Sequence, residues 1–106
     1  MGNLGELETL VLLAIVRLSD GAYGVSIRDE IEARTGRSLS RGAIYSALRR
    51  MERKGQITSS LGPATPSRGG RAKRFWSLTP VGMDALRAAI RNSDRMRQGL
   101  EEQLSS

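Results

Sequence analysis

Apolar residues recur at helical spacing in four stretches of this chain and at alternate positions in two short ones. Between residues 4 and 18, Leu7, Leu10, Val11, Ala14 and Ile15 form one stripe, and Leu12, Leu13 and Val16 widen it. A helix apolar over that much of its circumference is expected to be buried on more than one side. Asn3, three residues before Glu6, has the form of a capping box at its start, and Ser19-Asp20-Gly21 ends it. Ile27 and Ile31, with Arg28, Asp29, Glu30 and Glu32 pointing away, predict a second helix over residues 24–35, closed by Gly36. A short strand is expected over residues 37–39. The spacing of Ile44, Leu48 and Met51 predicts a third helix over residues 41–54, with Ser40 as N-cap and Gly55 as its stop.

Two strands follow. Over residues 56–61, alternation puts Ile57, Ser59 and Leu61 on one face; over residues 73–79 it puts Arg74, Trp76 and Leu78 on one face and Phe75 opposite. The Gly- and Pro-rich residues 62–72 between them form the hairpin loop. Thr79-Pro80 then opens a last helix over residues 80–103, with Thr as N-cap and Pro at the first helical position. Met83, Leu86, Ile90, Leu100 and Leu104 give it roughly heptad spacing, interrupted by Ser93, Asp94 and Arg97 and weakened at Gly99. The fold class is therefore mostly α with a small β-hairpin. Residues 1–79 are expected to form the main domain and residues 80–106 an appended helix.

Composition removes several kinds of chemistry. The chain has no cysteine and no histidine, so disulfides, thiolate sites, zinc centres and most nucleophile–base pairs are excluded, and neither metal nor cofactor is expected. Glu30 and Glu32 are two apart and face different sides of a helix, so they form no convergent catalytic pair and no enzyme activity is expected. The longest unbroken apolar run, residues 10–16, is far short of the roughly 20 needed to span a membrane. With no basic leader segment at its start, the chain reads as a soluble, cytoplasmic protein without a membrane partner.

Charge adds the functional clue. Residues 41–74 hold nine of the seventeen Lys and Arg (Arg41, Arg49, Arg50, Arg53, Lys54, Arg68, Arg71, Lys73 and Arg74) and one acid, Glu52. Solvated faces usually mix both signs, whereas a segregated basic stretch suits a polyanion such as DNA. The third helix is apolar on one side and basic on the other, and the hairpin after it carries further cations.

In order, the second helix, a tight turn and the basic third helix make a helix-turn-helix, and the hairpin makes a wing. In that geometry the third helix enters the major groove N-terminal end first. Ser40, Arg41 and Gly42 stand at that end, Gly42 being small enough for the backbone to come close to DNA. Tyr45, Ser46, Arg49, Arg50 and Arg53 follow on the remaining surface. Arg68, Arg71, Lys73 and Arg74, around Gly69-Gly70, suit phosphate tracking by the wing. Trp76 reads as a core or interface residue, and Arg53 and Lys54 also complement the dipole at the third helix's C-terminus.

The segments LETLVLLAIVRL (7–18), GAYGVSI (21–27), SRGAIYSALRRMERKG (40–55) and RGGRAKRFWSLTPVG (68–82) together resemble the PadR family of bacterial transcriptional regulators. The resemblance covers most of residues 4–82 in the family's order. It implies a winged helix-turn-helix with a C-terminal dimerisation helix, binding a pseudo-palindromic DNA operator as a homodimer, usually as a repressor. A single C-terminal helix resembles the short subfamily. By position, Ser40, Gly42, Tyr45 and Arg49 match helix contacts to DNA, Tyr23 matches a residue that touches phosphate, and Arg71, Lys73 and Arg74 match the wing. The strand carries Phe75-Trp76 where the family often has Tyr-Tyr.

The dimer interface is expected along Leu7, Val11, Met83, Leu86 and Ile90, where a gap would admit a small-molecule inducer. Two alternatives use the same arrangement: a protein-interaction module built on the helix-turn-helix, and a non-specific nucleic-acid binder. RNA modules favour aromatic platforms, for which only Tyr23, Tyr45, Phe75 and Trp76 are present.

Overall fold

A computed structural model describes residues 4–62 and 73–105 of the chain. The first helix, α1 (Glu6–Leu18), is the centre of the body. Val11, Leu12, Ala14 and Ile15 on it are buried against the following elements. Leu13 and Val16 are not: they are 37% and 48% exposed, because the neighbouring helices cover only one broad side of α1. The helix starts at Glu6 rather than at residue 4. Its leading cap is the Glu8 carboxylate, which accepts from the Gly5 N–H at 3.1 Å; Asn3, the expected cap, lies outside the described residues.

A 3-10 turn, Ser19–Gly21, leads to α2 (Gly24–Thr35). Ile27 and Ile31 face the core, and Gly36, at φ 72°, closes the helix in the left-handed conformation that a side chain disfavours. The strand expected over residues 37–39 is absent. The third strand-like pairing is made instead by the extended residues before α2. Tyr23 bridges Phe75 in antiparallel fashion, and the Trp76 N–H donates to the Ala22 carbonyl at 2.8 Å. These contacts satisfy backbone groups on the edge of the hairpin that would otherwise need another partner.

The third helix, α3 (Arg41–Arg53), buries Ile44, Ala47, Leu48 and Met51. The antiparallel hairpin of β1 (Ile57–Leu61) and β2 (Arg74–Leu78) follows, in the register Ile57–Leu78, Ser59–Trp76 and Leu61–Arg74. Its core face carries Ile57 and Trp76, and Trp76 is 5% exposed, as a core residue should be.

The entry to α4 (Pro80–Arg97) is locked from two sides. The Thr79 hydroxyl accepts from the Gly82 N–H at 3.1 Å and donates to the Gly55 carbonyl at 2.5 Å. A β-carbon on Gly82 would lie 1.9 Å from the Gln56 carbonyl oxygen, so helix and strand can meet this closely only at a glycine.

The last helix is not continuous to residue 103. It breaks at Gln98 (ψ 128°) and Gly99 (φ 86°), and a short α5 (Glu101–Leu104) follows. Glycine is a poor helix former, and every residue from 90 onward in α4 is exposed, so no packing overrides the local preference. Eighteen residues make α4 about 27 Å long. Of these, only Gly82 and Leu86 are buried. Among the described residues, no helix is long and apolar enough to cross a membrane.

Candidate nucleic-acid interface

With Ile44, Ala47, Leu48 and Met51 turned inward, the 3.6-residue repeat places Gly42, Ser46, Arg49 and Arg53 along the opposite line of α3, and all four are exposed. Arg53, which doubles as a dipole partner in a sequence reading, thus belongs to the outward stripe. Its spacing from Ser46 and Arg49, seven and four residues, is the signal that assigns it there.

Ser40 caps this helix, its Oγ accepting from the Ala43 N–H at 3.1 Å. Its hydroxyl hydrogen remains available to an external acceptor. Gly42 has no internal reason to be glycine: its φ is not positive, and the nearest atom to an added β-carbon would be Ser40 Oγ at 3.9 Å.

Tyr45 is 43% exposed and leans across to the first residue of α2. A β-carbon on Gly24 would sit 2.7 Å from the Tyr45 hydroxyl oxygen, so the bare glycine and the phenol ring form one contact between the two helices. Tyr45 therefore serves the helix-turn-helix angle while keeping part of its ring at the surface.

Ion pairing sorts the cations. Arg17 and Arg34 share Glu30, Arg37 pairs with Glu6, and Arg87 and Arg97 pair with Asp84 and Asp94 on their own helix. Among the described residues, no carboxylate lies within 4.0 Å of Arg41, Arg49, Arg53, Lys73 or Arg74. Arg91 and Arg95 on α4 likewise have no such partner, so the unpaired cations lie on the outer line of α3, at the base of the hairpin and on the exposed half of α4.

Arg50, expected on the DNA-facing surface, is exposed but leans toward α1, where its Nε donates to Glu8 Oε2 at 3.3 Å; Lys54 Nζ lies 3.6 Å from the same oxygen. One step in sequence from Arg49 is 100° around the helix, enough to move the side chain to the other flank. Glu8 itself, 6% exposed, is the residue that sequence reasoning missed. It sits three before Val11 and seven before Ile15, so it is an acid on a buried stripe, and that position predicts a cationic partner. Burial pushes its carboxyl up, but the Gly5 N–H, the Arg50 hydrogen bond and the charges of Lys54 and Arg50 outweigh that and hold it below the ordinary value.

At the hairpin base, Lys73 Nζ lies 4.2 Å from the centroid of the Tyr23 ring, and that ring meets Phe75 edge-on at 5.6 Å. Arg74 Nη1 donates to Ser59 Oγ at 2.9 Å, and Ser59 Oγ donates onward to Glu52 Oε2 at 3.4 Å. Arg68 and Arg71 lie outside the described residues.

Of the residues expected at a dimer interface, Leu7 and Met83 are half-buried and Ile90 is 41% exposed. Val11 and Leu86 are a correction. At 0% and 3% exposed they lie inside the chain's own core, with no surface left for a partner. An open groove of about 1150 Å³ runs between the start of α1 and α4, lined by Leu4, Leu10, Ala85, Ala89 and Ile90, with Lys54 and Arg97 at its edges. Among the described residues, no group of three or more acidic, His or Cys side chains could hold a metal ion.

This arrangement, a helix-turn-helix followed by a winged hairpin, is a winged-helix fold. A family model described as the transcriptional regulator PadR-like family matches residues 12–88. The chain belongs to that family. Its structure is similar to that of a PadR family transcription regulator from hypervirulent Clostridium difficile R20291 (TM-score 0.77, 25% identity, covering 95% of this chain and all of that one). It is also similar to a PadR-like regulator from Bacillus cereus strain ATCC 14579 (TM-score 0.75, 21% identity, 94% and 92% covered). A third similar structure is a PadR family regulator from Eggerthella lenta DSM 2243 (TM-score 0.68, 24% identity, 95% and 88% covered). A comparison with curated proteins found no match.

The Glu8 cluster gives a pH-dependent expectation. Its carboxyl is depressed in the folded chain, so its contribution is present above the ordinary carboxylate range and is lost as pH falls through the folded-state value. Glu8→Gln is expected to cost about 1–2 kcal/mol at pH 7, and the difference from wild type should narrow as pH falls below the ordinary carboxylate range. Urea midpoints of the two proteins from pH 7 downward check this; a gap that does not narrow with acidification would make the loss one of shape rather than charge.

Proposed function

We propose that this protein binds duplex DNA in a sequence-dependent way as a homodimer and represses transcription by occupying a pseudo-palindromic operator. The observation that carries the reading is the outer line of α3. It holds Arg49 and Arg53 without carboxylate partners, and at its leading end a glycine that the fold itself does not require. Two copies of α3 would enter successive major grooves roughly 34 Å apart. Ser40, Arg41, Gly42, Tyr45, Ser46 and Arg49 are the proposed groove contacts, joined by Arg53, with Arg68, Arg71, Lys73 and Arg74 on the flanking phosphates and Tyr23 at the base of the wing beside Lys73.

Homodimerisation is supported by the exposed second half of α4 and by the groove beside α1, whose apolar lining includes Leu10 and Ile90. A second copy's α4 is the proposed occupant, with Leu7, Met83 and Ile90 at the contact. A small-molecule inducer would act in whatever part of that groove the partner leaves open.

The direct test is a fluorescence-anisotropy titration of random duplex and of duplex selected from a random pool, across a salt series. If six to eight phosphates are neutralised, the log–log slope should be about −5 to −7. The selected site should bind at least ~10³ more tightly than random duplex. Arg49→Ala should cost about 1–3 kcal/mol on the selected site and less on random duplex. Equal losses on both would make Arg49 a phosphate contact, and no duplex binding at low salt would end the DNA reading.

Gly42→Ala should move stability and binding in opposite directions. The free protein should gain about 0.5–1 kcal/mol from better helix propensity, while the added methyl holds the helix end off the duplex and weakens binding. A variant that is both more stable and binds unchanged would remove Gly42 from the interface. Ile90→Glu should shift sedimentation toward the monomer and weaken DNA binding in parallel; a wild-type protein that sediments as a monomer at micromolar concentration would overturn the dimer.

A further inference from the structure

The base of the wing is held by the residue that starts α2. Tyr23 is the N-cap position of that helix, and its extended backbone (φ −130°, ψ 171°) runs antiparallel beside β2. Its N–H donates to Ser26 Oγ at 2.9 Å, and the Ser26 hydroxyl lies 2.6 Å from the Gly21 carbonyl. The Trp76 N–H on β2 donates to the Ala22 carbonyl at 2.8 Å. The Tyr23 backbone is thus fixed on both sides, and its ring has little freedom to leave the hairpin.

Among the described residues, that ring makes one aromatic contact and one cation–π contact, both with the wing. Phe75 meets it edge-on, interplanar angle 70°, and the Lys73 ammonium stands 4.2 Å from its centroid. Lys73 immediately precedes β2, at the base of the hairpin. Among the described residues no carboxylate pairs with it, so the aromatic face is the group that orients this ammonium. A ring occupies only one side of an ammonium and leaves donors on the others for a phosphate oxygen.

We infer that Tyr23 is a positioning residue: its ring, not its hydroxyl, holds Lys73 in place for a DNA phosphate and ties the wing to the helix-turn-helix. This rests on the DNA-binding reading above and assigns it a specific division of labour. A free lysine side chain loses rotamer entropy when it docks on a phosphate, and a side chain already oriented by a ring loses less. The same ring joins two parts of the interface that are about fifty residues apart in sequence, so the wing cannot tilt without breaking the contact with α2.

The test uses three variants of the full chain. Tyr23→Phe keeps the ring and removes the hydroxyl, Tyr23→Leu removes the ring, and Lys73→Gln removes the cation. Each is titrated against the duplex selected by the wild type and against random duplex. Tyr23→Phe is expected to bind within about twofold of wild type, and Tyr23→Leu to lose roughly three- to tenfold. In the Lys73→Gln background, Tyr23→Leu should cause little further loss. Equal losses for Phe and Leu would make the hydroxyl a direct phosphate contact and overturn the proposal, as would full additivity of Tyr23→Leu with Lys73→Gln.

A second readout needs no DNA. The Lys73 ε-methylene protons should show an upfield ring-current shift in the NMR spectrum of wild type and Tyr23→Phe. Its absence in the wild type would overturn the contact itself even if Tyr23→Leu proved too unstable to titrate. Wild-type protein that binds no duplex while showing the shifted signals would instead overturn the DNA reading, leaving the contact as architecture alone.

Discussion

Everything at the proposed interface depends on how α3 is seated on the rest of the chain. Its apolar side, Ile44, Ala47, Leu48 and Met51, is buried almost completely, and that leaves the opposite side no choice but to face outward. Burying each of the larger residues is worth about 1.5–3 kcal/mol. Exposed ion pairs are worth at most about 1 kcal/mol each. The seating is therefore driven by apolar contact. Glu8 holds Arg50 and Lys54 toward α1, whereas Arg49 and Arg53 on the outer line have no carboxylate partner among the described residues. Net charge in this segment is a matter of composition; the face that carries it is set by the buried apolar side of α3, with Glu8 engaging the cations on one flank.

Three close approaches carry that seating outward to the wing and to α4. Gly24 lets the Tyr45 ring settle between α2 and α3, Tyr23 and Phe75 meet where α2 adjoins β2, and Gly82 lets α4 rest on the Gln56 carbonyl. In each case a helix end meets another element, and in two of them a glycine permits the contact. Motifs that look like separate signatures in a linear reading are here the two sides of single contacts: the Ala-Tyr-Gly before α2 answers the Tyr of α3.

What could be read from the chain alone follows the range of the forces involved. The bounds of α2 and α3 depend on neighbouring caps and stops, Ser40, Gly36 and Gly55, and were readable to within a residue. The two strands were readable from alternation. The break at 98–100 was signalled by Gly99, but heptad spacing on either side of it suggested continuity, and only the lack of packing there decides the outcome. Arg50 and Val11 show a different limit. Periodicity says which way a side chain points, not which neighbour stands there. Arg50 meets an acid from forty-two residues away, and Val11 is covered by its own chain before a second copy could reach it. The strand expected at 37–39 was displaced by Ala22 and Tyr23, whose pairing with β2 depends on tertiary contact.

The outward line of α3 is built from guanidinium groups, which keep their charge at any pH a cell experiences. With no histidine and no cysteine anywhere in the sequence, neither a proton nor an oxidant has an obvious handle on that face. Its attraction for a polyanion is permanently switched on. In the proposed dimer, a change in the distance or angle between two such faces would release the duplex without any change in the charge they carry.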